Sequence, residues 1–534
     1  KINIGTVGAE RVRIERMPPA GPATPPEPSS EPFSLPSLPG SLPAVTVERI
    51  FVDSLELGQE LAGQEARFAL EGRATTGSDG RRVDAALDLK RVDEATASAS
   101  LGAVADLAAR NLSVDLQASE TGGLLAGLTG RPEAGSLSVD LDGSGPFSDF
   151  KAKLRADAQN LASLNADLGL AVEGAPRIDL TGALEVAPGV LPAQVAPLVG
   201  DKLDLRIKGG QRSADLYAVE EVDIRGGGFA LTGQGEARLD ARSIDGRLAL
   251  DVPSLAVASG LAGMDTGGNL RLDATAGGDL YQPTVKLDLA GQEITADNYG
   301  IGNLRTTVDI GFLGPLDQGY AGVSVAAEGG ADGVTMNGAP MPGAGAPHWS
   351  LAARAPAVGE AELERLELNA DALTVAANGA VDQQTLVGRG HLNVAAPDLA
   401  ALLASLGSLA PPNLPLAGAL TLNADAEIEA QAERITVDLR ADGGDLAGLP
   451  PGAQELVGSG PRLVAKAIVE PGRQARIEGL SLTGAEMTVG GDVTAGLADR
   501  TLAGEVTVGL PRLAALSDVA GQPIEGDAEA KARL

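Results

Sequence analysis

Two histidines, His348 and His391, are the only imidazoles in 534 residues, and there is no cysteine. Acid–base chemistry near neutral pH therefore has at most these two natural carriers. Thiolate nucleophiles, disulfides and thiolate zinc sites are ruled out. His348 stands between the Gly/Pro-rich stretch 343–347 and Trp349, which reads as a loop position. His391 occupies an outward position of the alternating run 390–394. Asp140-Leu141-Asp142-Gly143 resembles the beginning of a calcium loop but lacks the remaining ligands, and alternation places both Asp on the wet face of a strand. Paired carboxylates such as Asp425 and Glu427 likewise point to water, whereas acid–base roles need burial. No Gly-x-Ser-x-Gly elbow, His-Glu-x-x-His pair or phosphate loop stands out. The reading is of a protein that is not an enzyme, with no catalytic residue, no metal site and no cofactor.

Composition narrows the classes further. The net charge is −31, so phosphate backbones would be repelled and nucleic acid is not an expected partner. The chain is 44% hydrophobic, too rich and too regular for a disordered acidic polymer, yet only 2% aromatic. Compact cores usually draw on Phe, Tyr and Trp for much of their burial. A long, thin layer of small aliphatic side chains would not. Length alone would suggest three or four domains. The longest uncharged stretch, 399–424, could span a bilayer by length, but Pro411, Pro412 and Pro415 interrupt it and Leu420 onward alternates with polar residues, so it is not read as a span. The chain starts at Lys1 without Met and is read as a fragment.

Residues 1–17 are expected to form a strand entering from a preceding part, and 18–43 a Pro-rich loop or linker, with Pro at ten of 26 positions. From 44 to 534 the dominant signal is period two. Leu137, Val139 and Leu141 alternate with polar residues, as do Leu248 and Leu250, and Val285, Leu287 and Leu289. The clearest run is Leu420, Leu422, Ala424, Ala426, Ile428 and Ala430, followed by Ile435, Val437 and Leu439. One-sided strands of this kind belong to antiparallel meanders. Gly226–Gly228, Gly277-Gly278 and 443–445 read as turns. Short helices are expected where Pro253, Pro397 and Pro511 stand in a first helical turn, and again near Leu191-Pro192 and Leu449-Pro450. Segments 191–263 and 449–521 align without a gap at an offset of 258, with about a quarter of positions identical, and Val222–Ala256 matches Leu366–Ala400 at an offset of 144.

At roughly 12 residues per strand and turn the chain holds on the order of 35–40 strands, with too few helices to cover their apolar faces. The expected fold is all-β: a long, curled, mostly antiparallel repeat sheet forming an elongated trough, with a few short helices. The alternating residues named above would line its hydrophobic groove, and scarce aromatics would keep that groove open.

Several segments carry a family resemblance. They are Pro32-Phe33-Ser34-Leu35-Pro36-Ser37-Leu38-Pro39, then Val45–Ile50 with Leu55-Glu56-Leu57-Gly58, then Gly122–Leu128 and Gly143–Asp149, with Pro-x-Leu-Ala repeats such as Pro253–Ala256. In order and texture the chain resembles the middle of the TamB family, the inner-membrane subunit of the translocation and assembly module of Gram-negative bacteria, related to AsmA-like and bridge-like lipid transfer proteins. The resemblance implies a β-taco-like trough in the periplasm, anchored to the inner membrane through an N-terminal part outside this sequence. It implies phospholipid acyl chains as cargo and a TamA-type outer-membrane barrel as partner, reached through parts not present here. The expected function is a hydrophobic conduit for phospholipids between the inner and outer membranes, supporting outer-membrane biogenesis and protein secretion. Two other readings fit the pattern: an assembly factor that pairs strands with outer-membrane β-barrel or autotransporter clients, and a structural β-solenoid or adhesin passenger.

Overall fold

A computed structural model describes residues 2–15, 41–93, 96–121, 123–131, 134–171, 173–406, 415–497, 500–517 and 521–533. The Pro-rich segment lies almost wholly outside them, as do Gly122, Pro411 and Pro412. The described residues form 31 strands of open, mostly antiparallel sheet that does not close into a barrel, with a few short helices. The estimate of 35–40 strands was too high because most strands run for 9–15 residues. The chain divides into two units, 1–263 and 264–534.

The first unit holds fourteen strands, from Ile2–Ile14 to Ser243–Val252. Its first two strands pair in parallel, and each later strand pairs antiparallel with the one before it. Helical segments follow the second, sixth, tenth and fourteenth strands: Gln59–Ala62, Leu124–Thr129, Ala196–Val199, and Leu255–Ala258 running into Ser259–Ala262. Four strands return the chain to the end from which it started, so all four segments lie at one end of the strands. The second unit holds seventeen strands, from Thr266–Asp279 to Ala528–Arg533, again in a meander. Leu399–Leu406, Pro451–Val457 and the 3₁₀ turn Leu513–Leu516 share one end.

Antiparallel partners share a face, so the register shows where each apolar side chain points. In the first unit Leu137, Val139 and Leu141 stand opposite Ala158, Ala156 and Leu154 on one side, and opposite Glu120, Ala118 and Leu116 on the other. In the second unit Val394, Leu422 and Ala441 form one cross-strand row, and Leu392, Ala424 and Leu439 the next. The polar alternates Asp140, Asp142, Asp425 and Glu427 are exposed on the other face.

Elements recur at both offsets. A β-bulge separates Val219 from Val222, Leu363 from Leu366, and Ile477 from Leu480. The first bulge residue is Glu each time, and it meets a cation: Glu220 with Lys208 and Arg212, Glu364 with Arg354, Glu478 with Arg476. The helical segments starting at Leu255, Leu399 and Leu513 keep the same offsets. Their prolines are not in the first turn. Pro253 and Pro511 come two residues before the first helical residue, and Asp398 caps its helix by accepting the Ala401 N–H at 3.0 Å. The expected turn at 443–445 is instead the interior of the strand Ile435–Ala447. Gly443 and Gly444 keep their ladder partners Leu420 and Ala419, and the irregularity is a bulge just beyond them, where Asp445, at φ +52°, and Leu446 together face Gly418.

Candidate functional site

The residues expected to line a groove lie on the apolar face of their own unit. Leu137, Val139, Leu141, Leu248 and Leu250 share it in the first unit; in the second, Val285, Leu287, Leu289, Leu420, Leu422, Ala424, Ile428, Ile435, Val437 and Leu439 do. None is fully buried: thirteen are intermediate, and Leu248 and Leu420 are exposed at 42% and 37%. Among the described residues only seventeen hydrophobic side chains are buried, ten of them Ala. Within each unit the apolar face is thus continuous from strand to strand and incompletely covered.

Ring placement shapes this face. Every described aromatic residue except Phe51 lies in a turn or within three residues of a strand end. Phe51 is on the polar face, with the Arg49 guanidinium 4.8 Å above its ring. Apart from Thr306, opposite Leu289 and Gly329, the middle of the apolar face is therefore built from Leu, Val, Ile, Ala and Gly. Trp349, the single Trp, lies on it near one strand end, flat against Gly329, where a Cβ would meet the indole at 2.6 Å. Sequence reasoning had marked it only as the neighbour of His348. The opposed glycines Gly379 and Gly390 thin the face beside a bulge; a Cβ on Gly379 would come within 2.8 Å of the Arg389 carbonyl.

Parts of both strand ends of the first unit are closed by packing. At the helical end Phe68, Ala66 and Ala97 pack with Leu89 and Leu124. Two charged side chains take inward positions there. The Arg91 side chain is 4% exposed and pairs with Asp93 at 2.7 Å. Glu120 is 6% exposed and accepts the N–H groups of Leu124 and Leu125 at 3.0 and 3.4 Å. At the opposite end Phe147 is 2% exposed, and Arg110 lies 5.2 Å from its ring centroid while pairing with Glu173.

The histidines fall on or beside the polar face. His348 begins the strand His348–Pro356 rather than lying in a loop, because it pairs with Gly330 and Asn369. His391 Nδ1 is 2.8 Å from Asp425 Oδ1, its cross-strand partner. They open onto a cleft of about 420 Å³ that also takes in Glu362, Asn378, Arg389 and Glu427. The hydrogen bond from Arg354 to Glu362 holds that guanidinium more firmly charged than usual. Among the described residues no group of three or more His, Asp or Glu is placed to hold a metal ion. No helix among them is long and apolar enough to cross a membrane. Asp140 and Asp142 face Arg155 and Lys153 across the ladder, so their surroundings are those of a solvated charged face. No protein-family model and no curated protein matches the chain.

Proposed function

We propose that the chain is a TamB-like conduit for phospholipids in the periplasm, part of a protein anchored to the inner membrane that supports outer-membrane biogenesis. The observation that carries this reading is that each unit has a continuous, half-exposed aliphatic face from whose middle rings are excluded. Acyl chains need a dry strip and no specific polar partner, and a strip of Leu, Val and Ala offers adhesion at about 25 cal/mol per Å² covered. Head groups remain in water. Movement is diffusion along the strip.

Trp349 provides the test. Phosphatidylcholine with brominated acyl chains should quench its fluorescence, and phospholipid should be extractable from the purified chain. Leu422→Asp, in the middle of the same face, should reduce the extracted lipid severalfold. A chain that carries no phospholipid and whose Trp349 is untouched by brominated lipid would sink the reading.

A further inference from the structure

The two ends of the strands in the second unit are finished differently. At the helical end Ala372, Ala396 and Leu399 are buried around the helix Leu399–Leu406 and the loop at Gly343, where a Cβ would meet Ala372 and Ala401, and the exposed apolar side chains there, Met264, Tyr299 and Leu406, belong to separate segments. At the other end three consecutive turns carry large apolar side chains into solvent: Leu313 (41%), Leu316 (43%), Tyr320 (64%), Val358 (67%), Leu386 (45%) and Val387 (47%). Scattered exposed apolar residues need no explanation, but a contiguous set marks a contact surface.

The turns are tied to one another. Leu316 N–H donates to the Tyr281 carbonyl at 2.8 Å, Ala357 N–H to Ala321 at 3.0 Å, Gln383 N–H to Gly359 at 3.0 Å, and Gln431 N–H to Thr385 at 2.6 Å. The Gln383 side-chain amide adds a bond to the Pro356 carbonyl at 2.8 Å. Leu386 is held at φ +54°, a conformation a leucine adopts only under constraint. The turns that carry these six side chains are therefore pre-ordered in a row, about 10 Å apart at two strand spacings each.

Charge selects the occupant. Residues 313–321, 356–360 and 382–388 contain no Lys or Arg, while Asp317, Glu360 and Asp382 stand among the apolar groups; the flanking cations Arg354 and Arg389 lie on the strands behind, Arg354 bonded to Glu362. The Asp382 carboxylate is held below its usual range by the Thr385 N–H and hydroxyl, so it is an anion at neutral pH. An anionic lipid surface would be repelled. A protein segment with aliphatic or aromatic side chains flanked by Lys or Arg would find both its apolar groups and its charges matched.

We infer that this row of turns is a docking surface for a basic, apolar segment of a partner protein, separate from the apolar face proposed to carry lipid. The test pans random peptides of about 12 residues displayed on phage against the full chain. Counter-selection uses the chain carrying Tyr320→Ser, Val358→Ser and Leu386→Ser. Survivors should combine aromatic or aliphatic residues with Lys or Arg, and should bind the triple variant at least roughly tenfold more weakly. Survivors of other composition, or ones that bind both chains equally, overturn the assignment. So does flotation of the chain with phosphatidylcholine vesicles that depends on the same three residues, since it would give the row to a bilayer. Bromolipid quenching of Trp349 should be unchanged in the triple variant, which keeps this result independent of the conduit. Val358→Ser alone, at the most exposed position, replaces the triple variant if the latter fails to fold, with the same criteria.

Discussion

Glu120 stands opposite Ala97 and Leu137, in the phase of the strand that otherwise holds apolar groups. Its carboxylate is tolerated there because two backbone N–H groups at the start of Leu124–Thr129 need acceptors and find none within a helix. Glu120→Ala should therefore lower the stability of the first unit by about 1–3 kcal/mol, measured by denaturant unfolding, and Glu120→Gln should recover part of the loss. The inward phase of Glu120 and Arg91 is legible in the alternation of their strands. The reason a charge can stay there is not, because it depends on a helical turn folding back over the strand end. Asp382 makes a separate prediction. Its folded pKa is depressed by bonds from Thr385 and Gln384, so the stabilisation is present above the ordinary carboxylate pKa of about 4 and is lost as pH falls through the lower folded value. Amide exchange in the turn 382–388 should accelerate as pH drops below about 4, relative to intrinsic rates. Asp382→Asn should remove that acid-specific acceleration.

Strand phase was readable because Leu and Val alternate with charged residues whose hydration fixes the outer face. Bulges were not. Leu363-Glu364-Arg365-Leu366 looks like a lapse in alternation, and its resolution lies on the neighbouring strand, where Gly379 and Ala377 leave one residue to face two. The same geometry recurs at Val219–Val222 and Ile477–Leu480, so the bulge belongs to the repeated unit. It also bends and twists its strand locally. A deletion series separates bulge from ladder. Removing Glu364 leaves Leu363 and Leu366 on the apolar face of a regular strand, so the thermal midpoint should move by only a few degrees. Removing Asn423 from the regular stretch 419–428 forces either Leu420 and Leu422, or Ala424, Ala426 and Ile428, onto the polar face. That should lower the midpoint by roughly 10 °C or more. The exposed turn residues Tyr320 and Val358 escaped sequence reasoning for a related reason: a single apolar residue in a Gly-containing turn carries no periodicity, and only strand pairing brings successive turns into a row.

Across the molecule the scarcity of aromatics and the charge of −31 describe two faces of the same sheet. The polar face carries cross-strand pairs such as Arg206–Glu221 and Arg462–Asp442, which are solvent-exposed and individually weak. They set which face meets water more than they hold the strands together. The apolar face carries the functional expectation, and its least replaceable property under the conduit reading is low relief. A charge placed there is an imperfect probe, because a buried unpaired carboxylate costs several kcal/mol and can unfold the strand. A ring is a better one. Ala424 is half-buried between Leu392 and Leu439 in the middle of the face. Ala424→Trp adds apolar bulk and no charge, and on a half-exposed face its indole N–H can turn to water, so it should leave the thermal midpoint within a few degrees of the parent. It should also stand in the path of an acyl chain. Transfer of fluorescent phospholipid between donor and acceptor vesicles should then slow severalfold, while the same substitution at the exposed outward position Arg440 should leave the rate unchanged. A stable Ala424→Trp chain that transfers lipid at the parental rate would separate the apolar face from transport altogether, and the missing aromatics would then need an explanation in packing alone.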